Sequence, residues 1–238
     1  EAYPALANRL LALLDRFDRE PAKLTIRDPK NPGKTLMVKL SGEVLADALY
    51  QALYIRDVRP LIPYIIDRAD QGDFTFISGL LLPLQLDNHD HAIGMYTAVV
   101  CTERGDSDPI VIRTSGFNPR LVRTELKGAQ EMIAVCKDWN VELLPREVLE
   151  PVKSDVPTLL LSGDFDPITP PNFATQIAPG LSRAQHVTFP RGAHGQAFDS
   201  SCANGIIESF LNNPTGALNS SCAVTAPSNF VVPSDLIV

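Results

Sequence analysis

Two short runs carry the side chains best suited to acid–base chemistry. "TLLLSGDFDPITPP" (158–171) brings Asp164 and Asp166 just after an apolar stretch, and "FPRGAHGQ" (189–196) brings His194, 28 residues beyond Asp166. A carboxylate that accepts a hydrogen bond from an imidazole fixes its tautomer and stabilises the imidazolium. The ring can then act as general base and general acid for a nucleophile. Gly192 and Gly195 leave room around His194 and permit unusual backbone angles. Taken singly, an Asp after a strand or a His in a glycine-rich loop is more often structural, so the elements around them matter.

Those elements read as α/β. The apolar run "VPTLLLSG" (156–163), ending at glycine, predicts a buried parallel strand, and "AQHVTFP" (184–190) predicts a second. "PNFATQIAPG" (171–180) and "CANGIIESFLNN" (202–213) predict the helices that alternate with them. In such sheets ligands bind in loops beyond the carboxyl ends of strands, which is where both runs fall. Two parallel strands cannot by themselves form a sheet buried on both faces. The pattern therefore predicts neighbouring strands from another polypeptide or from a longer chain.

The first part of the sequence is mainly helical. "PALANRLLALLDRFDRE" (4–20) sets Leu6, Leu10, Leu13, Leu14 and Phe17 on one stripe, closed by Pro21. "TIRDPKNPGKTLMVKL" (25–40) predicts two short strands about an Asn-Pro-Gly turn. "SGEVLADALYQALY" (41–54), with Ser41 as N-cap, and "RPLIPYIIDRADQGD" (59–73), stopped at Gly72, predict helices, as does "RTELKGAQEMIAVCKDW" (123–139). Residues 74–100 show no clean period, and the tail after Cys222 reads as extended surface chain. The expected division is a helical region over 1–150 and an α/β region over 151–238.

Composition narrows the classes. The chain has 238 residues, 45% hydrophobic, enough for a large core. A net charge of −7 and a pI near 5.1 argue against nucleic acid or an anionic membrane as partner. The longest apolar stretch, "ISGLLLPLQL" (77–86), is too short to span a bilayer. The sequence opens directly on helix-like residues with no leader pattern, which suggests that its true beginning lies elsewhere. Cys101, Cys136, Cys202 and Cys222 show neither zinc-site nor C-x-x-C spacing. Their even count and nested order predict disulfides 101–136 and 202–222 and an oxidising compartment, secreted or periplasmic; four buried free thiols are the alternative.

Gly163, Asp166, Pro167, Ile168, Thr169 and Pro170, followed by Gly192, His194 and Gly195, fit G-x-x-D-P-[IV]-T-P and G-x-H-G. This resembles the Asp and His end of the α/β-hydrolase peptidases of the TAP-like type, which include proline iminopeptidase and the tripeptidyl aminopeptidases. "YPALANRLLALLDRFDREP", "ALYQALYIRDVRPLIPYIIDRADQGD", "AVVCTE", "CKDW" and "CANGIIESFLNN" also look like segments of that group, in the same order. The resemblance implies a partial α/β-hydrolase fold, comprising the last core strands and helices, with a mainly helical lid over 1–150. It implies Asp166 as triad acid, His194 as base, Asp164 at a variable position, and no cofactor and no metal. It also implies a peptide substrate with a free N-terminus.

The nucleophile elbow G-x-S-x-G, which the family order Ser…Asp…His requires, does not occur in these residues. Ser78 and Ser115 have a following glycine but lack the preceding one, and Ser162 adjoins Gly163 directly. The resemblance places the elbow upstream. The chain is then expected to be the C-terminal portion of a serine exopeptidase, with its N-terminal part as partner, and inactive alone. An esterase, lipase or amidase of the same fold, or a non-catalytic binding module, are the alternatives.

Lesser candidates follow. Glu103, in the segment resembling the family's C-x-E, is the candidate for a substrate's α-amine, because a buried ammonium needs a paired charge; a solvated loop acid is the equal alternative. "DNHDH" (87–91) looks like a metal cluster but reads better as a polar loop. His186 alternates with apolar neighbours and reads as structural, and Trp139 as a packing anchor beside Cys136. "RGD" (104–106) and "GDS" (105–107) are short enough to arise by chance. Asn219 opens an N-S-S sequon.

Overall fold

The computed structural model describes residues 2–31, 33–87, 92–104, 115–224 and 230–236. The chain divides into two compact units, Glu1–Asn88 with Pro151–Val238, and His89–Glu150. Residues 1–88 thus pack in the same unit as 151–238.

In the larger unit, helix α1 (Leu6–Arg19) buries Leu13, Leu14 and Phe17 on its apolar stripe and ends before Pro21. Strands β1 (Ala22–Arg27) and β2 (Thr35–Leu40) pair antiparallel, Ala22 opposite Leu40 and Arg27 opposite Thr35. Their turn is organised by Asp28, whose carboxylate accepts from the N–H groups of Lys30 and Asn31 and from the Asn31 amide. Helix α2 (Gly42–Leu53) starts at Ser41, whose side chain accepts from the Val44 N–H at 3.2 Å; losing such a cap costs about 1 kcal/mol. A 3-10 turn (Arg59–Leu61) leads into α3 (Ile62–Asp70), which stops at Gly72 with φ 88°. A π-helical turn (Ile77–Leu81) then runs into α4 (Leu82–Asp87). Leu13, Leu14, Leu40, Leu45, Ile65 and Ile77 close one core, where truncating a leucine to alanine costs ~2–5 kcal/mol.

The second part of this unit has its own smaller core. Strands β3 (Thr158–Gly163) and β4 (Ala184–Phe189) pair parallel, Thr158 opposite Ala184 and Gly163 opposite Phe189. The crossover is α7 (Pro171–Ile177) with a 3-10 turn (Ala178–Gly180). After β4 come α8 (Gln196–Asp199), α9 (Ser201–Asn212) and α10 (Ser221–Val224). Val187, Phe189, Ala203, Ile206 and Ala223 form the core, and a Cys202–Cys222 disulfide ties α9 to α10. Thr158–Leu161 are only partly buried, unlike the fully buried strand expected. Among the described residues β3 has one ladder neighbour, β4, which leaves its other edge uncovered.

The smaller unit holds α5 (Ile93–Arg104) and α6 (Pro119–Trp139), joined by a Cys101–Cys136 disulfide with Cys101 fully buried. Helix α6 begins four residues before the predicted start, because Asn118 caps it by accepting from the Arg120 N–H and Pro119 suits the first turn. Trp139, expected as a packing anchor, stays 42% exposed. Among the described residues no helix is long and apolar enough to cross a membrane.

Candidate active site

Asp166 and His194 lie together. β3 ends at Gly163 and the next residues turn back on themselves, with the Asp166 N–H bonded to the Gly163 carbonyl at 3.2 Å. β4 ends at Phe189, and the following turn brings His194 alongside. The His194 Nδ1 is 3.0 Å from each Asp166 carboxylate oxygen. Gly163 and the second loop touch so closely that a Cβ there would run into the Gly192 and Ala193 carbonyls. Gly195, at φ 72°, starts α8 in a conformation that suits glycine.

The carboxylate is held before it meets the imidazole. The N–H groups of Ile168 and Thr169 donate to Asp166 Oδ1 at 2.8 and 2.9 Å, and the Thr169 hydroxyl donates to Oδ2 at 2.8 Å. Burial pushes the Asp166 pKa up. The Thr169 and Ile168 N–H groups, the Thr169 hydroxyl and His194 outweigh it, so the group stays below the ordinary carboxylate range. An ionised carboxylate only accepts, so the Nδ1 it faces carries the proton. With Nδ1 as the donor to Asp166, Nε2 is the ring nitrogen left to accept a proton. The Asp166 side chain is 4% exposed and that of His194 37%, which suits a buried orienting acid and an accessible base.

Three neighbours escaped the sequence reading. Tyr54, at the C-terminal end of α2, sets its ring edge-on to His194 with centroids 5.4 Å apart. Arg59, only 4% exposed, donates from Nη2 to the Arg191 carbonyl and places its guanidinium 5.7 Å from the Phe165 ring centroid. Phe230 stacks on Phe165 at 6.0 Å, its segment fixed by Val231 N–H to the Pro60 carbonyl and by the Tyr3 hydroxyl to the Val231 carbonyl. No local pattern announces these contacts. Only the proline-led turn at 59–61 marked Arg59 as lying near a helix start.

Other expected residues fall as follows. Asp164 is a turn residue, its Oδ1 accepting the Arg191 N–H. His186 bonds through Nε2 to the Ser162 hydroxyl at 3.0 Å across the β3–β4 pair. Glu103 sits exposed on α5, in the other unit. Asn219 caps the start of α10 by accepting from Ser221. Residues 88–91 of the polar cluster and 105–107 of the two short motifs lie outside the described residues. Among the described residues no group of three His, Cys, Asp or Glu side chains could hold a metal ion.

All four cysteines are in disulfides, so none can serve as a thiolate nucleophile. Among the described residues no serine side chain bonds to His194; Ser78, for example, donates to the Phe74 carbonyl.

No curated protein and no solved structure matches the chain. Residues 125–222 match the family model described as TAP-like protein, an α/β-hydrolase family. That match covers less than half of the chain but takes in β3, β4 and both loops, so the segment that carries Asp166 and His194 is similar to the TAP-like family of α/β-hydrolases.

Proposed function

We propose that this chain is the C-terminal portion of a secreted or periplasmic serine exopeptidase, one that releases short peptides or residues from free N-termini. A serine supplied by an upstream part of the same hydrolase would attack the substrate carbonyl. His194 would take its proton and return it to the leaving amine, and Asp166 would orient the imidazole. The observation that carries this reading is the Asp166–His194 pair, a buried acid on a part-exposed imidazole, in a segment similar to the TAP-like family and a sequence with no G-x-S-x-G elbow. The one-sided β3–β4 pair supports it, since parallel sheets are normally covered on both faces and flanked by further strands. Two disulfides support an oxidising compartment. Glu103 is proposed to pair with the substrate's α-ammonium, and the helical region to narrow the cleft as a lid.

The test is reaction with a fluorophosphonate serine probe. Residues 1–238 alone should remain unlabelled. The same chain joined to the upstream Ser-bearing part should label, and His194→Ala should abolish that labelling. Labelling of any serine within 1–238 would overturn the proposal. For the assembled enzyme, turnover of tripeptidyl or aminoacyl amides should exceed that of simple esters; the reverse order would point to an esterase. Glu103→Gln should raise KM for substrates with a free amine and leave N-blocked ones unchanged.

A further inference from the structure

The second loop contains a residue in an uncomfortable conformation close to the base. Arg191 has φ 57°, the left-handed region that costs an L-residue with a Cβ. Such a conformation persists where surrounding contacts over-determine it. Here both polar groups of Arg191's backbone are taken by other parts of the chain. Its N–H donates to the Asp164 carboxylate and its carbonyl accepts from Arg59 Nη2. Asp164 belongs to the loop that carries Asp166, and Arg59 to the 3-10 turn before α3, 132 residues away. Arg59 also lies over Phe165, the residue between Asp164 and Asp166. One buried guanidinium therefore touches both loops, and the two contacts converge on the residue three before His194.

We propose that Arg59 and Asp164 are positioning residues that lock Arg191 in its left-handed conformation and so hold the His194 imidazole against Asp166. This rests on reading Asp166 and His194 as the acid–base pair, yet it concerns residues outside that pair. The buried charge of Arg59 would be costly without such a task, since an apolar residue of similar size is often as stable in a buried site. A lysine, with a compact ammonium in place of a planar fork, would reproduce the charge but only part of the geometry.

The experiment is proton NMR of this chain, following the low-field resonance of the His194 Nδ1–H that faces Asp166; it needs no nucleophile and so does not depend on the labelling test. Arg59→Met and Asp164→Ala should each broaden or abolish the resonance while cooperative melting is retained. Arg59→Lys and Asp164→Asn should keep it in part. In Arg59→Met/Arg191→Gly the resonance should return, because glycine adopts the left-handed conformation without being held there. Should Arg59→Met fail to fold, the exposed Asp164→Ala carries the test. An unchanged resonance in the single variants that fold, or no recovery with glycine at 191, would overturn the proposal and leave Arg59 a purely structural residue.

Discussion

Thr169 holds Asp166 at both carboxylate oxygens: its N–H donates to Oδ1 at 2.9 Å and its hydroxyl to Oδ2 at 2.8 Å. The same hydroxyl lies 3.4 Å from His194 Nδ1, so one threonine spans the pair. Thr169→Val keeps the shape and removes the hydroxyl. It should cost about 1.5–3 kcal/mol in denaturant unfolding, as for one lost hydrogen bond to a charged group. The Asp166 pKa should rise toward the ordinary carboxylate value, read from the carboxyl carbon shift. An unchanged Asp166 titration would show that the two backbone N–H groups suffice.

The Asp166 pKa also predicts a pH dependence. Its folded pKa lies below that of the unfolded chain, because the Thr169 and Ile168 donors and His194 outweigh desolvation. A depressed carboxylate contributes stability that is fully present above its unfolded pKa, near 3.9 for aspartate, and is lost as pH falls through the folded value. Asp166→Asn should therefore flatten the fall in stability on the acid side of about pH 4. Chemical unfolding of both proteins from pH 6 downward would show it. Equal acid slopes would place the stabilisation elsewhere.

How much of this was legible follows from how local each signal is. Asp166, Thr169, Gly192 and His194 lie in two short loops whose order and spacing are visible along the chain. Ser41, Gly72 and the β1–β2 turn declare themselves through local capping and turn chemistry. Tyr54 and Arg59 do not, because their contacts with His194 and Arg191 arise from packing between segments more than 130 residues apart. The absence of a period over 74–100 has a physical cause at Ile77–Leu81, where a π-helical turn shifts the register of the apolar stripe. The apolar run of β3 suggested burial on both faces, since side-chain pattern reports what a strand is suited to rather than which neighbours are present.

Close approach of the two loops predicts a steric lesion at Gly163. Its added Cβ would meet the Gly192 and Ala193 backbone carbonyls, which cannot rotate away as a side chain would. Gly163→Ala should destabilise the protein by ~1–3 kcal/mol, the range for overpacking, and should weaken the His194 Nδ1–H resonance by displacing its loop. Gly205→Ala is the control: nothing lies within 4 Å of that position, which is inside α9, so the variant should be neutral or slightly stabilising. A Gly163→Ala protein as stable as the parent would mean that the loops separate more easily than their contacts imply.

The Cys202–Cys222 disulfide closes a span of 20 residues that includes α9, whose Ala203 and Ile206 supply the smaller core. Chain-entropy reasoning assigns such a closure about 3 kcal/mol, more than a core of five buried residues can easily lose. The double variant Cys202→Ala/Cys222→Ala should therefore unfold the β3–β4 part first. Hydrogen exchange should quicken in β4 and α9 while α1 and α3, whose core is separate, keep their protection. Breaking Cys101–Cys136 should instead loosen α5 against α6 in the other unit. Uniform loss of protection across both cores on removing Cys202 and Cys222 would show that the larger unit unfolds as one body, and that Asp166 and His194 share its stability.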